Sequence, residues 1–573
     1  MPSTDLRIKT CFRYTLLLCI LVVSVLLCAQ TATAQLQPQP TAATLRQFQI
    51  SFSATAHAEP ITGRVYIIVA RRNYPEPRLQ VGNWTDQTEF FGADIAQLKP
   101  GETATIDTTT PGYPLRSLAD LPDDDYYVQA LINVYTKFQR SDGHTLWLHM
   151  DQWEGQQFNR SPGNLYSEVR LVRLSRTSGY NIELQATQVI PPIQQPQDTR
   201  WVKHVKIHSK LLSQFWGQPI YLGATVLLPK DYERYPNTRY PVIYEQGHFT
   251  LSAPVRMLPD TDDFAPVHDP MGRANFEQWA GEDFPRLIAV TFQHPTPFFD
   301  DSYAVNSANN GPYGDAIMQE LIPYIEEHFR IIREPWARVL TGGSTGGWES
   351  LALQIYHPEF FGGTWSISPD PIDFRHDQLV NIYEDESAFI APGFQYVPRE
   401  RPLMRTLAGQ VVETVRQMGQ LEQVLGSHGR SGQQVEAWDA TYGPVGEDGY
   451  PKPLWDKSTG KIDPAVAAYA RDHGYDLRQY VQQNWSTIGP QLAGKIHIYC
   501  GDMDNYYLNL AVYDMETMLN RTSDPAAEAE FRYGRPLKGH GWSPYSMPQL
   551  IRVMAEHIAR HAPAGADTKS WRY

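Results

Sequence analysis

Residues 338–349 read Arg-Val-Leu-Thr-Gly-Gly-Ser-Thr-Gly-Gly-Trp-Glu. The apolar run before the glycines predicts a strand, and Leu351, Leu353 and Ile355 continue beyond them as a helix, so Ser344 falls on a tight strand-to-helix turn. Such a turn lifts the hydroxyl clear of the sheet. Gly342 and Gly346 let strand and helix approach where a Cβ would clash. The first peptide N–H groups of the helix, that of Thr345 among them, point to where negative charge would develop on a substrate oxygen. A serine hydroxyl becomes a nucleophile when a histidine takes its proton and a carboxylate fixes that histidine's tautomer. Residues 495–505 place Asp502 and Asp504 in a turn after another apolar strand, and residues 538–542, Lys-Gly-His-Gly-Trp, place the glycine-flanked His540 in a loop before the last helix. The chemistry these residues would do is acyl transfer through a covalent serine intermediate.

Positioning them requires a particular scaffold. From Trp201 onward, short apolar strands at 241–244, 287–292, 337–341, 363–367, 496–500 and 530–533 alternate with helical spacing at 315–329 and 544–560. This predicts a doubly wound α/β domain over 201–565 with a mostly parallel sheet, in which strand ends collect at one edge. Between two of its strands lies an insertion, about 371–491. It reads as helical at 403–425 and 464–473 and as a Gly/Pro/Asp-rich loop at 441–452, either a cap over the site or a structural or partner-binding elaboration. Trp438 and Trp455 within it could wall a substrate ring or pack against the core. Asp370 and Asp373, after the 363–367 strand, could bind a cation or polar substrate or simply be solvated. Residues 46–190 are strand after strand with no convincing helix, an all-β sandwich in expectation, and 191–200 is a Pro/Gln linker.

The elbow at 342–349, the segment Tyr-Ala-Val-Asn-Ser-Ala-Asn-Asn-Gly-Pro-Tyr-Gly-Asp at 303–315 with Glu-Leu-Ile-Pro at 320–323, and the Gly-Asp-x-Asp and Gly-His-Gly loops together resemble the putative esterase family. That is the esterase D and enterochelin esterase-like branch of the α/β-hydrolases. The resemblance covers roughly 201–561 outside the insertion and stops short of the β-domain. It implies a serine hydrolase with Ser344 as nucleophile, His540 as base and an aspartate of the Gly501 turn as orienting acid. The related Gly-x-x-Asp pattern selects Asp504, with Asp502 the alternative. Family members carry a His-Gly pair before the oxyanion loop, whereas this chain reads Tyr-Glu-Gln-Gly-His-Phe at 244–249. An oxyanion hole needs a backbone N–H rather than that side chain, so Gly247 and His248 remain the expected second donor region beside Thr345. His248 is also a candidate substrate contact. Ester hydrolysis is the reading. Peptide hydrolysis, or a carbohydrate-binding or scaffold protein retaining the fold without turnover, are the alternatives.

The chain has 573 residues, with 49 Lys plus Arg against 63 Asp plus Glu and a formal charge of −14. Such a surface repels phosphate backbones and argues against a nucleic-acid partner. Residues 1–34 carry Arg7, Lys9 and Arg13, then an apolar run from Leu16 to Ala29, then Ala32-Thr33-Ala34. These are the parts of a cleavable secretory signal, placing the mature protein outside the cell or in a periplasm, with 35–45 a flexible leader. The apolar run falls short of a membrane span. Cys500 is the only cysteine beyond the signal, which leaves no intrachain disulfide and no thiolate zinc cluster. No His-Glu-x-x-His, Walker or dinucleotide glycine pattern is present, so no metal or cofactor is expected. The expected partner is an ester substrate, carbohydrate-linked or aromatic in its acyl group.

Overall fold

A computed structural model describes residues 45–82, 86–259, 269–393 and 399–572. The signal at 1–34, and the leader up to residue 44, lie outside the described residues. The α/β region forms one eight-stranded sheet. In chain order its strands are β1 (Val202–Ser209), β2 (Ile220–Leu227), β3 (Val242–Gln246), β4 (Ile288–Gln293), β5 (Arg338–Gly343), β6 (Gly363–Ile367), β7 (Ile496–Gly501) and β8 (Glu530–Gly534). Side by side they run β1-β2-β4-β3-β5-β6-β7-β8. The β1-β2 and β2-β4 pairs are antiparallel and all later pairs are parallel. The central strands β3 to β6 are buried almost end to end, which is why they read as continuous apolar runs rather than alternating ones. Helix α1 (Thr345–Tyr356) covers one face through Leu351, Ala352 and Ile355. The last helix, Met547–His561, covers the other through Leu550, Ile551, Met554 and Ile558. Because β3 and β5 to β8 are parallel, the loops bearing Gly247, Ser344, Asp370, Asp504 and His540 all leave the same edge.

Between Arg46 and Val189, nine strands join into a single hydrogen-bonded sheet. Its first and last strands, Arg46–Phe52 and Tyr180–Val189, pair in parallel and the remaining pairs are antiparallel. Phe48, Ile67, Phe91, Val128 and Ile132 meet in its core. Two packed sheets were the expectation; the ladders link all nine strands. A separate hairpin, Thr136–Gln139 with Thr145–Leu148, packs instead on the α/β core, the Phe138 ring 5.3 Å from that of Trp216.

The helix expected over 403–425 is corrected. Pro402–Arg405 and Val411–Thr414 form an antiparallel hairpin, and only α2 (Val415–Leu425) is helical. At the hairpin turn, Thr406 N–H donates to the Gln410 carbonyl and Gly409 sits at φ 85°. Turn chemistry and the β-branched pair Val411-Val412 outweigh the apolar spacing there, and a Thr414/Gln417 capping box starts the helix. Helices α3 (Gln434–Tyr442) and α4 (Leu477–Leu492) follow, and α4 returns the chain to β7. The insertion is packed against the β-domain. Arg64 donates from Nε to the Val424 carbonyl (2.8 Å) and from Nη2 to the Gln423 carbonyl (2.7 Å), and the Tyr66 hydroxyl donates to that of Leu425. Carbonyls at a helix end have no partner within the helix, and the guanidinium also offsets the negative end of the helix dipole.

Two consequences can be measured. A Cβ on Gly346 would overlap the Gln246 carbonyl oxygen, so Gly346→Ala is expected to lower stability by the cost of overpacking against backbone, about 1–3 kcal/mol or more, and with it the thermal midpoint; an unchanged melting curve would refute that contact. Glu245, at the end of β3, accepts from Val255 N–H at 2.7 Å, and burial raises its carboxyl to about 7. Between the ordinary value and 7 the folded state holds a proton the unfolded chain releases, so this group's stabilising contribution falls as pH rises through that window. Glu245→Gln should therefore gain stability relative to wild type between pH 5 and pH 8 in denaturant titrations, and a pH-independent difference would contradict the assignment.

Candidate active site

Ser344 sits at φ 57°, ψ −122°, a backbone region that a side chain rarely adopts and that marks a strained turn. Three backbone bonds hold it there: Ser344 N–H to the Ile367 carbonyl (2.9 Å), and Trp348 N–H (3.0 Å) and Asp370 N–H (3.2 Å) to the Ser344 carbonyl. Its hydroxyl donates to Asp370 Oδ1 at 3.1 Å. Asp370 is buried, not solvated. Its Oδ2 also accepts from the Tyr303 hydroxyl (2.7 Å), Thr345 Oγ1 (3.0 Å) and Gln434 Nε2 (3.0 Å). Trp438 Nε1 donates to the Tyr303 hydroxyl at 2.6 Å, which ties the insertion to the floor of the site. Asp373 lies apart, paired with Arg375 (2.6 Å) and Arg478 (2.7 Å).

On the neighbouring loops His540 Nδ1 lies 2.9 Å from Asp504 Oδ2. Asp504 is fully buried, and its Oδ1 accepts from Tyr506 N–H (2.9 Å) and Leu508 N–H (3.3 Å). A carboxylate accepting at Nδ1 leaves Nε2 as the ring nitrogen facing outward. Asp502 faces away from the imidazole in its bonding. Its Oδ1 accepts from Lys538 N–H at 3.0 Å and orders the loop before His540. Asn505 Oδ1 accepts the His540 amide (3.0 Å), and Arg405 Nε donates to the Asp504 carbonyl (3.0 Å). The Tyr506 ring stands edge-on to the imidazole, centroids 4.9 Å apart. Burial pushes the Cys500 thiol far up, so it is inert packing behind Asp504.

The amide of Thr345 opens α1, where N–H groups lack intrahelical partners. Gly247, at φ 155°, follows Gln246 directly against that helix start, its nitrogen 2.8 Å from where a Gly346 Cβ would stand. The His248 ring is half exposed, with Nδ1 3.1 Å from Asp300 Oδ1 and 3.2 Å from Asp301 Oδ2. A cleft of about 430 Å³ opens beside it, lined by Phe158 and Asn159 of the β-domain, His248 and Asp300 of the core, and Gln434 of the insertion. Trp455 is buried. It lines an apolar cavity with Phe374, Val435, Trp438 and Tyr442 that includes none of Ser344, Asp504 or His540. Asn306 Oδ1 accepts from Asp315 N–H at 2.9 Å and Asn309 Nδ2 donates to the Gly443 carbonyl at 2.9 Å, so both order loops. Tyr303 and Gln434 were not singled out by the sequence as site residues. Tyr303 begins the 303–315 segment, whereas nothing local marks Gln434.

The family model described as putative esterase matches residues 221–392, from β2 through β6 and past the Ser344 elbow. No curated protein matches the chain. Similar solved structures include a ferulic acid esterase, 16% identical over 63% of this chain and 98% of that one, with a TM-score of 0.36. An S-formylglutathione hydrolase from Staphylococcus aureus is 13% identical over 62% and 99%, with a TM-score of 0.31, and one from Agrobacterium tumefaciens is 12% identical over 64% and 99%, with a TM-score of 0.32. Over residues 221–392 the chain is therefore similar to the putative esterase family, the stretch that includes the Ser344 elbow.

Proposed function

We propose that the protein is a secreted serine esterase in which Ser344, His540 and Asp504 act as nucleophile, base and orienting acid. The observation that carries this reading is the His540–Asp504 pair, on loops that leave the same sheet edge as the strained Ser344 turn. In the resting arrangement the Ser344 hydroxyl points to Asp370. Rotation about its Cα–Cβ bond turns it toward His540 Nε2, which takes the proton as Oγ attacks the ester carbonyl carbon. The amides of Thr345 and of the Gly247–His248 loop receive the oxyanion. His540 then protonates the departing alkoxide, leaving an acyl-serine. A water molecule, deprotonated by the same imidazole, attacks that acyl group and restores the hydroxyl. Asp504, buried and already accepting two backbone N–H groups, holds the imidazolium without taking its proton.

Asp370 anchors the far wall: with Tyr303, Gln434 and Trp438 it sets where the acyl group lies, while the cleft beside His248 receives the larger part of the substrate. A carbohydrate-linked or aromatic ester suits the mixture of Phe158, Asn159 and Gln434 there. Trp455 takes a packing role in the apolar cavity behind Trp438.

Ser344→Ala should lower kcat/KM for p-nitrophenyl acetate by roughly 10⁴-fold or more, the scale of triad removal, and abolish labelling by a fluorophosphonate probe with an unchanged melting curve. Retained turnover would sink the nucleophile assignment. Asp504→Asn should cost on the order of 10³–10⁴-fold in kcat by losing the correct imidazole tautomer, whereas Asp502→Asn, which keeps an acceptor for Lys538 N–H, should cost under about tenfold. The reverse order of losses, read in the same steady-state assay, would exchange the two roles.

A further inference from the structure

Behind the oxyanion loop lies a group of ionisable side chains that the reaction above does not use. His248 follows β3, Asp300 and Asp301 follow β4, and Glu349 lies in the second turn of α1. One ligand atom each from His248, Asp300 and Asp301 falls within 4.8 Å of the others. Donor atoms about 2.1 Å from one tetrahedral ion stand about 3.4 Å apart, close to the 3.1 and 3.2 Å that separate His248 Nδ1 from Asp300 Oδ1 and Asp301 Oδ2, so a small rearrangement of the two carboxylates would close the three around a single cation.

Glu349 supplies the independent sign. It is fully buried, its carboxyl lies against that of Asp301, and neither of its oxygens meets a hydrogen-bond donor. Asp301 is buried too, with Oδ1 accepting from Tyr303 N–H at 3.0 Å and Oδ2 3.2 Å from His248 Nδ1. The nearest basic group on the inner side, His294 Nε2, is 3.8 Å from Glu349 Oε1. His294 accepts from Ser302 N–H at Nδ1 (3.0 Å), so that nitrogen carries no proton and the ring adds no positive charge. Three carboxyl groups thus share one imidazole. Buried carboxylates left unpaired are costly and are met in proteins by protons or by metal ions.

We infer that His248, Asp300 and Asp301, backed by Glu349, form a binding site for one divalent transition-metal cation of the zinc or manganese kind. One imidazole nitrogen among carboxylate oxygens suits those ions, whereas calcium and magnesium take oxygen shells. The half-exposed His248 and the partly exposed Asp300 border the 430 Å³ cleft, so the ion reaches the site from solvent. Binding at Nδ1 displaces the proton between His248 and Asp300 into solvent. The ion would tie the loop after β3 to the loop after β4 and to α1.

The test uses the whole protein stripped with EDTA and dialysed, then titrated with ZnCl₂ by calorimetry and followed by thermal unfolding. One zinc per chain and a raised thermal midpoint are expected, with MnCl₂ competing and equal CaCl₂ failing to compete. His248→Gln and Asp300→Asn, both at the cleft border, should each weaken zinc binding at least tenfold while keeping the wild-type near-UV circular dichroism. Ser344→Ala and His540→Ala should bind zinc as wild type does, which separates this result from the fate of the triad. No zinc binding by the wild type would overturn the inference and leave shared protons as what holds the carboxyls together. Binding undiminished in both His248→Gln and Asp300→Asn would also overturn it, by placing the ion elsewhere.

Discussion

The close approach of α1 to the end of β3 governs the site. Gly346 presses against the Gln246 carbonyl and Gly342 against the Gly346 carbonyl, and only residues without a Cβ allow either contact. That contact places the start of α1 beside Gly247, so amides from two separate segments face one spot. It also forces Ser344 into its positive-φ turn. Holding a side chain there costs of order 1–3 kcal/mol, offset by the three backbone bonds to Ile367, Trp348 and Asp370 and by an α1 that is buried over almost its whole length.

Around this joint, the insertion behaves as part of the wall. Gln434 and Trp438 on α3 reach Asp370 and Tyr303 directly. Further back, the nearly buried Lys457 sits between the buried Glu422 of α2 (3.0 Å) and Asp439 of α3 (3.1 Å). A buried ammonium between two carboxylates fixes how the two helices sit because any displacement strands a charge. The insertion therefore transmits the position of the β-domain to the acyl side of the site.

How much of this the sequence discloses follows from the range of each interaction. Strands β3 to β8 are apolar runs bounded by turn residues, and they fall within a residue or two of their expected limits. The elbow, the Gly501 turn and the His540 loop are local patterns, and the Gly-x-x-Asp pattern of the family that the sequence resembles is what singles out Asp504 over Asp502. β1 escapes because Val202–Ser209 alternates Lys and His with apolar residues at a sheet edge, and β2 because Gly223 interrupts the run Ile220–Leu227. The 402–414 hairpin escapes because its apolar residues happen to fall at helical intervals. Asp370's hydrogen bonds to Tyr303 and Gln434 span 67 and 64 residues. The His248, Asp300, Asp301 and Glu349 group likewise draws on three separate segments, and no window of sequence contains it.

The bond from Arg64 to the Val424 carbonyl joins residues 360 positions apart. Contacts of such long range close late and slowly, since the intervening loop entropy is lost before the contact rewards it. During synthesis the β-domain emerges hundreds of residues before α2 exists, and its Arg64 side chain is then without the helix end it will cap. The order of assembly follows from this. The docking of α2 onto Arg64 and Tyr66 cannot precede synthesis of residue 425, by which point the β-domain and strands β1 to β6 have already been made.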